Sequence, residues 1–128
     1  MTKLLLIALG GAVGTSLRYG VGLGMLRWLG PTFPYGTLAA NVIGSFLLAV
    51  VMESMGTRQL AGVPLKLVLG TGVMGGFTTY SSFNLETLRL AEQGAWGRAG
   101  LYLGATVVAC LVAGVAGVAL VRSLRPGS

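Results

Sequence analysis

Residues 75–83 read GGFTTYSSF and lie between two largely apolar stretches, VPLKLVLGTGVM at 63–74 and NLETLRLAE at 84–92. Paired glycines, hydroxyl side chains and aromatic rings therefore interrupt what would otherwise pass for one long apolar helix. The role of this interruption has to be inferred from the rest of the sequence.

The composition is typical of an integral membrane protein. Of the 128 residues, 54% are hydrophobic, 9% are charged and none is histidine, which is too little charge to cover the surface of a soluble domain of this length. The net charge of +6 comes from scattered single basic residues, so contact with anionic lipid headgroups is a simpler interpretation than nucleic-acid binding. We therefore expect a lipid bilayer, and no nucleic acid, as a partner.

The apolar runs predict four transmembrane helices in one domain covering residues 1–128. Each run has about the 20 residues needed to cross a bilayer, and short loops rich in polar residues, Gly and Pro connect them. The predicted spans are about 4–26, 35–55, 63–90 and 96–121. The N-terminal run resembles a signal peptide, but it stays apolar as far as Leu26, so we interpret it as a retained helix.

The basic residues favour no single orientation. An even number of spans puts both termini on one side, where five basic residues lie: Lys3, Arg58, Lys66, Arg122 and Arg125. Three lie on the other side: Arg27, Arg89 and Arg98. Because this bias is weak, insertion of different copies in both orientations (dual topology) is open.

Residues 70–75, GTGVMG, match the dinucleotide-binding pattern G-x-G-x-x-G. The fold that gives this pattern its meaning needs βαβ units, and four long apolar runs leave no room for them. We also find no metal-ligating set of Cys and His and no nucleophile with a partner base, so we do not expect an enzyme. The lone Cys110 lies in an apolar stretch and is interpreted as a small packing residue.

Polar residues inside the predicted spans carry most of the functional information. Arg18 lies in the first span and Glu86 in the third, and a charge in hydrocarbon is costly enough that both should face protein or water. The other polar residues are Asn41 and Ser45 in the second span, Thr78, Thr79, Ser81, Ser82 and Asn84 in the third, and Thr106 in the fourth. Together they indicate a hydrated path. Taken singly, Asn41 could equally join helices, and the pairs Gly10/Gly14 and Gly100/Gly104 indicate close helix packing.

Three segments together resemble the Fluc family of membrane fluoride channels, also called CrcB proteins. They are GGAVGTSLRY at 10–19, PYGTLAANVIGSF at 34–46 and GGFTTYSSFNLET at 75–87. The resemblance covers nearly the whole chain and implies a fluoride-specific channel that exports fluoride passively across the prokaryotic plasma membrane and reduces its toxicity. It also implies an all-α antiparallel homodimer of four-helix subunits whose third helix is broken.

The resemblance further implies a structural sodium ion where the two breaks cross. Carried onto this chain, its ligands would be the backbone carbonyls of Gly75 and Thr78. Paired glycines and small hydroxyl residues suit such a break, because unsatisfied backbone inside a bilayer is tolerable only when protein buries it or an ion engages it. Carbonyl oxygens also suit a hard cation.

The same resemblance implies a fluoride path and the residues that line it. Tyr80 and Phe83 would offer positive ring edges, Asn41 would donate an amide N–H, and Arg18 would draw anions into a vestibule. Further hydroxyl donors would be Thr37, Ser81, Ser82, Tyr102 and Thr106. Without the resemblance, Tyr80 and Phe83 are equally compatible with an ordinary core.

Two departures from the family pattern and one alternative function remain. Phe is usual at the position of Tyr80, and Cys110 stands two turns from Tyr102 where a hydroxyl residue would extend a polar track. The alternative is a small multidrug transporter, also a dual-topology four-helix dimer. Such a transporter needs a carboxylate in its first span, where this chain has Arg18.

Overall fold

The computed structural model describes residues 1–126, and these residues are predominantly helical. The elements in chain order are α1 (Thr2–Leu29), α2 (Tyr35–Ser54), β1 (Gln59–Leu60), β2 (Val63–Pro64), a π-helix (Lys66–Met74), α3 (Gly75–Phe77), α4 (Tyr80–Glu92) and α5 (Trp96–Leu124).

Three of these helices are long and apolar enough to cross a membrane. They are α1 with 28 residues, α2 with 20 and α5 with 29, and they occupy the first, second and fourth predicted spans. Both α1 and α5 extend a few residues beyond the predicted limits, because helical hydrogen bonding continues through their basic ends at Arg27 and Arg122.

The segment of the predicted third span, 63–90, is not one continuous helix. Its first residues, Val63–Pro64, belong to β2, which pairs with β1 in a two-stranded hairpin. The turn of this hairpin needs positive φ values, adopted by Ala61 (50°) and Gly62 (78°), and this is the conformation of the favoured two-residue hairpin loops. The helical path then starts as the π-helix and continues as α3, and after two extended residues α4 carries it to Glu92.

Glycine lets α1 pack closely on the π-helix. A Cβ atom on Gly10 would lie 2.9 Å from the Val68 carbonyl oxygen, and one on Gly14 would overlap the backbone at Val73. The packing prediction for this pair therefore holds. It is wrong within one chain for Gly100 and Gly104, because a Cβ atom on either would meet nothing within 4 Å.

The most extensive helix contact joins α2 and α5, and two small clusters of buried side chains fix the remaining elements. One cluster, Phe83, Leu90, Ala99 and Tyr102, joins α4 to α5. The other, Ala40, Met74 and Phe77, joins α2 to the π-helix and α3. Most leucines and valines of α1 and α5 are exposed, as expected for surfaces that face lipid or another chain.

Candidate functional site

The chain leaves helical conformation at two consecutive threonines, in the middle of the third predicted span. Thr78 (φ −90°, ψ 158°) and Thr79 (φ −153°, ψ 124°) are extended. Thr79 is the N-cap of α4, and its hydroxyl oxygen accepts a 3.2 Å hydrogen bond from the Ser82 N–H. A threonine hydroxyl in this position satisfies one of the free N–H groups at a helix start.

This interruption removes the usual hydrogen-bond partners of two carbonyl groups. In a continuous α-helix the Thr79 N–H would bond to the Gly75 carbonyl and the Ser82 N–H to the Thr78 carbonyl. Here the Thr79 N–H donates to Asn41 and the Ser82 N–H to the Thr79 side chain. Both carbonyls named by the sodium prediction therefore lose their helical donors.

Asn41 of α2 holds the extended segment in place. Its Oδ1 accepts the Thr79 N–H at 2.8 Å, and its Nδ2 donates to the Thr79 carbonyl at 3.0 Å. The residue is 8% exposed. Because an amide nitrogen carries two N–H groups, one donor is left after the bond to Thr79. The amide therefore joins two helical segments and also keeps a donor for a ligand.

Side chains of a second helix, α1, also form hydrogen bonds to the interrupted segment. Arg18 Nε of α1 donates to the Gly76 carbonyl at 3.2 Å, and Thr15 Oγ1 donates to the same oxygen at 3.5 Å. In a continuous helix that carbonyl would accept the Tyr80 N–H. Arg18 thus satisfies a carbonyl released by the interruption, and its side chain also lines a cleft of about 300 Å³ beside Thr37.

Four of the eight predicted fluoride-pathway residues, Asn41, Tyr80, Phe83 and Thr106, meet in one concave region, which we call the central cleft. It has a volume of about 530 Å³. Its walls come from four helical segments and the extended pair: Asn41, Gly44, Ser45, Leu48, Gly75, Thr78, Thr79, Tyr80, Phe83, Thr106, Val107 and Cys110. Six residues of the predicted fluoride and sodium sites are therefore neighbours here, although they are spread over 66 positions of the sequence, from Asn41 to Thr106.

The two aromatic rings of the predicted pathway have different surroundings. Phe83 is 5% exposed, whereas Tyr80 is 78% exposed. Their rings make a tilted, edge-to-face contact, with centroids 5.6 Å apart, and Phe83 makes a similar contact with Tyr102 at 5.2 Å. Phe33 adds an edge contact to Tyr102 at 5.4 Å. Phe83 is thus both a core residue and part of the cleft wall.

Four predicted pathway residues lie outside the central cleft. Thr37 donates to Glu86 Oε1 at 2.6 Å, and both residues line another cleft of about 340 Å³ near the start of α2. Tyr102 is fully buried, and its hydroxyl lies close to Thr37 and Glu86 without a well-aligned hydrogen bond. Ser81 and Ser82 lie on the first turn of α4, where their hydrogen bonds go to Thr79.

Sequence reasoning did not identify what holds the interruption together. Thr79 was noted as polar, yet its roles as N-cap and as partner of Asn41 are visible only in the structure. The spacing Thr79-x-x-Ser82 gives a weak capping signal. The bonds from Thr15 and Arg18 to Gly76 span about 60 residues, and no local pattern predicts them.

Comparison with known proteins identifies the family of this chain. The model of the family described as "CrcB-like protein, Camphor Resistance (CrcB)" matches residues 5–118. The chain belongs to the CrcB family. The resemblance stated from the three sequence segments is therefore confirmed.

Curated relatives match the CrcB chain over nearly its whole length. A protein of Anaeromyxobacter sp. (strain K) is 55% identical over 97% of this chain and 98% of its own. One of Sorangium cellulosum (strain So ce56) is 52% identical over 94% and 95%, and one of Agrobacterium fabrum is 46% identical over 97% and 99%. Each of the three is named "Fluoride-specific ion channel FluC".

Proposed function

We propose that this chain is a fluoride-specific ion channel, a multi-pass protein of a prokaryotic cell membrane that lets fluoride leave the cytoplasm by passive conduction. It is a channel and not an enzyme. The observation that carries the proposal is the central cleft, where a buried amide, a buried hydroxyl and two aromatic rings meet in a chain whose relatives bear that name. The transporter alternative gains no support, since α1 contains no carboxylate.

The chemistry of the cleft suits a small, strongly hydrated anion. The free N–H of Asn41 and the hydroxyl of Thr106 donate hydrogen bonds, and the ring edges of Tyr80 and Phe83 carry partial positive charge. These groups replace part of the water that fluoride loses on entry. No Lys or Arg lines the cleft among the described residues, so no basic side chain holds the anion tightly and it is free to leave.

The other predicted residues extend this path at its ends. The guanidinium of Arg18, beside Thr37 in the adjacent cleft, attracts anions from solution. Thr37 and Tyr102 offer hydroxyl groups beyond Phe83, while Ser81 and Ser82 offer theirs at the start of α4. A channel needs such donors to be numerous and individually weak, because conduction requires both entry and exit.

We further propose that the functional unit is an antiparallel homodimer of four-span subunits in which the third span is broken at Thr78–Thr79. The central cleft is open in one chain, with Tyr80 and Gly75 exposed in its wall. Extended backbone at membrane depth needs burial by protein, and a second copy crossing at the same place would supply it. The nearly balanced basic residues allow that copy to insert the other way up.

A sodium ion at this crossing fits the residues present. The carbonyls of Gly75 and Thr78 have lost their helical donors, and carbonyl oxygen is a ligand for hard cations. Among residues 1–126 there is no group of three His, Cys, Asp or Glu that would offer another metal site. When bound, sodium would compensate the partial negative charge of these carbonyls.

Gly75→Leu tests the crossing. A Cβ atom on Gly75 would meet only the Gly70 carbonyl oxygen, at an ordinary 3.8 Å, so a larger side chain fits the single chain. We expect the variant to fold and to dimerise poorly. A Gly75→Leu protein that forms normal dimers by size-exclusion chromatography with light scattering and conducts normally would contradict the proposed crossing.

Fluoride efflux from liposomes containing the purified protein tests the channel itself. A fluoride-selective electrode should record rapid release from loaded vesicles once a potassium ionophore balances the charge. Chloride-loaded vesicles are the selectivity control and protein-free vesicles the leak control. Equal release of both anions would refute fluoride specificity, and release no faster than from protein-free vesicles would refute the channel.

A further inference from the structure

One face of α5 carries a thiol that the proposed function leaves unused. Tyr102, Thr106 and Cys110 follow one another at intervals of four residues, so they lie on the same side of the helix. Thr106 and Cys110 both line the central cleft. Cys110 is the single cysteine of the chain, and its side chain is half-buried.

Thr106 gives independent evidence that this part of the cleft takes a polar ligand. The residue is 6% exposed, and its Oγ1 has no hydrogen-bond partner among residues 1–126. Buried polar groups are normally paired with protein or water. An unpaired hydroxyl on a residue of the cleft wall therefore marks a place that favours a polar ligand, one helical turn from Cys110.

Cys110 also lies between two cavities. It lines the central cleft and a neighbouring apolar groove of about 620 Å³, formed along α5 by residues that include Leu111, Gly114 and Val118. A group attached to the sulfur therefore has room on both sides. A group that lies on the cleft side adds bulk beside Thr106, within the wall that the anion must pass.

From this arrangement we propose that Cys110 is a covalent modification site, at which a small neutral thiol-reactive electrophile attaches and obstructs the fluoride path. The obstruction rests on the proposed channel function. The thiolate is the form of cysteine that reacts. The central cleft is far larger than the roughly 30 Å³ share of one water molecule, so a compact reagent can enter.

The reaction is a thiol exchange that is complete in itself. With methyl methanethiosulfonate, the Cys110 thiol loses its proton to water, and the thiolate sulfur attacks the sulfenyl sulfur of the reagent. A sulfur–sulfur bond forms to the methylthio group, the bond between sulfur and the sulfonyl group breaks, and methanesulfinate leaves with the electron pair. Dithiothreitol then reduces the mixed disulfide and restores the thiol.

The test uses the full chain in fluoride-loaded liposomes. The reagent is added to the native protein and to Cys110→Ser, which keeps a small polar side chain without a thiol. Intact-mass spectrometry should find one methylthio group on each native chain and none on Cys110→Ser. Fluoride efflux of the native protein should fall about tenfold or more, equivalent to about 1.4 kcal/mol of added barrier, and dithiothreitol should restore it.

Each other outcome contradicts a defined part of the proposal. A native protein that reacts only after denaturation would show that the thiol is closed to reagents. Labelling without loss of efflux would show that Cys110 lies away from the fluoride path. Equal inhibition of Cys110→Ser would place the effect elsewhere. Absence of efflux before treatment would refute the channel and the obstruction with it, while labelling would still decide whether the thiol is accessible.

Discussion

Asn41→Leu removes the amide that holds the extended segment between α3 and α4. Leucine has a similar size but no polar atoms, so the 2.8 Å bond from the Thr79 N–H and the 3.0 Å bond to the Thr79 carbonyl are both lost. Leaving a buried polar group unpaired costs about 1–3 kcal/mol, and two such groups give about 2–6 kcal/mol. That is a large part of the stability of a small protein.

The assay for this variant has two parts. Thermal unfolding of the purified protein in detergent should show a clear loss of stability, and fluoride efflux from liposomes, normalised to folded protein, should fall strongly. Thr87→Val is a matched control, because it removes a 2.8 Å bond from Thr87 Oγ1 to the Phe83 carbonyl within α4. We expect this control to stay close to the native protein, since a side-chain bond within one helix is easily replaced.

An Asn41→Leu variant with the same unfolding temperature and the same fluoride conduction as the native protein would refute this prediction. That result would mean that the extended threonines need no partner from α2. Asn41→Asp separates the two bonds, because a carboxylate accepts the Thr79 N–H but has no N–H for the carbonyl. It should keep more stability than Asn41→Leu and still conduct poorly, since its negative charge repels fluoride.

Three further tests concern the cleft, the helix packing and the topology. Phe83→Ile loses two edge contacts, worth about 0.5–1.5 kcal/mol each, and it should still fold but lose most fluoride efflux. Tyr80→Phe should stay active. Normal efflux by Phe83→Ile would show that the Phe83 ring serves only in packing. Gly14→Ala forces a Cβ atom into the backbone of the π-helix and should lower the free energy of unfolding by about 1–3 kcal/mol. Gly20→Ala is the control and should be neutral, because its Cβ atom would meet nothing within 4 Å. Equal stability of the two variants would contradict the close packing of α1 on the π-helix. Arg125→Cys in a cysteine-free background should react with an impermeant thiol reagent from both sides of the membrane, and reaction from one side alone would exclude dual topology.

The outer architecture was predictable from sequence because it depends on length and apolarity. Each of α1, α2 and α5 is a long apolar run, and its limits fall near Gly, Pro or charged residues that any hydropathy reading detects. The third span was predictable only in part. Its hairpin at 59–64 is an apolar turn whose positive φ at Ala61 has no local signal, since Asn or Gly is usual there.

The candidate site, too, was predictable from the sequence only in part. Asn41, Tyr80 and Phe83 could be named from motifs that the chain shares with a family, and Thr106 from its place one turn beyond Tyr102; the structure brings all four to one cleft. Their hydrogen-bond partners could not be named. The bonds of Asn41 to Thr79 cross 38 positions, and such pairings are set by how helices pack and not by local sequence.

The interruption of the third segment affects how the protein enters the membrane during synthesis. α1 and α2 are long and apolar enough to cross a membrane, but the segment from the π-helix to α4 contains Glu86, Arg89 and an extended pair, and a charge at the centre of a bilayer opposes insertion by about 2.5–3.5 kcal/mol. Asn41 precedes Thr79 by 38 positions, so it leaves the ribosome first. The second helix is thus in position to receive the third segment as it is synthesised, and its amide helps to make that segment's entry into the bilayer favourable.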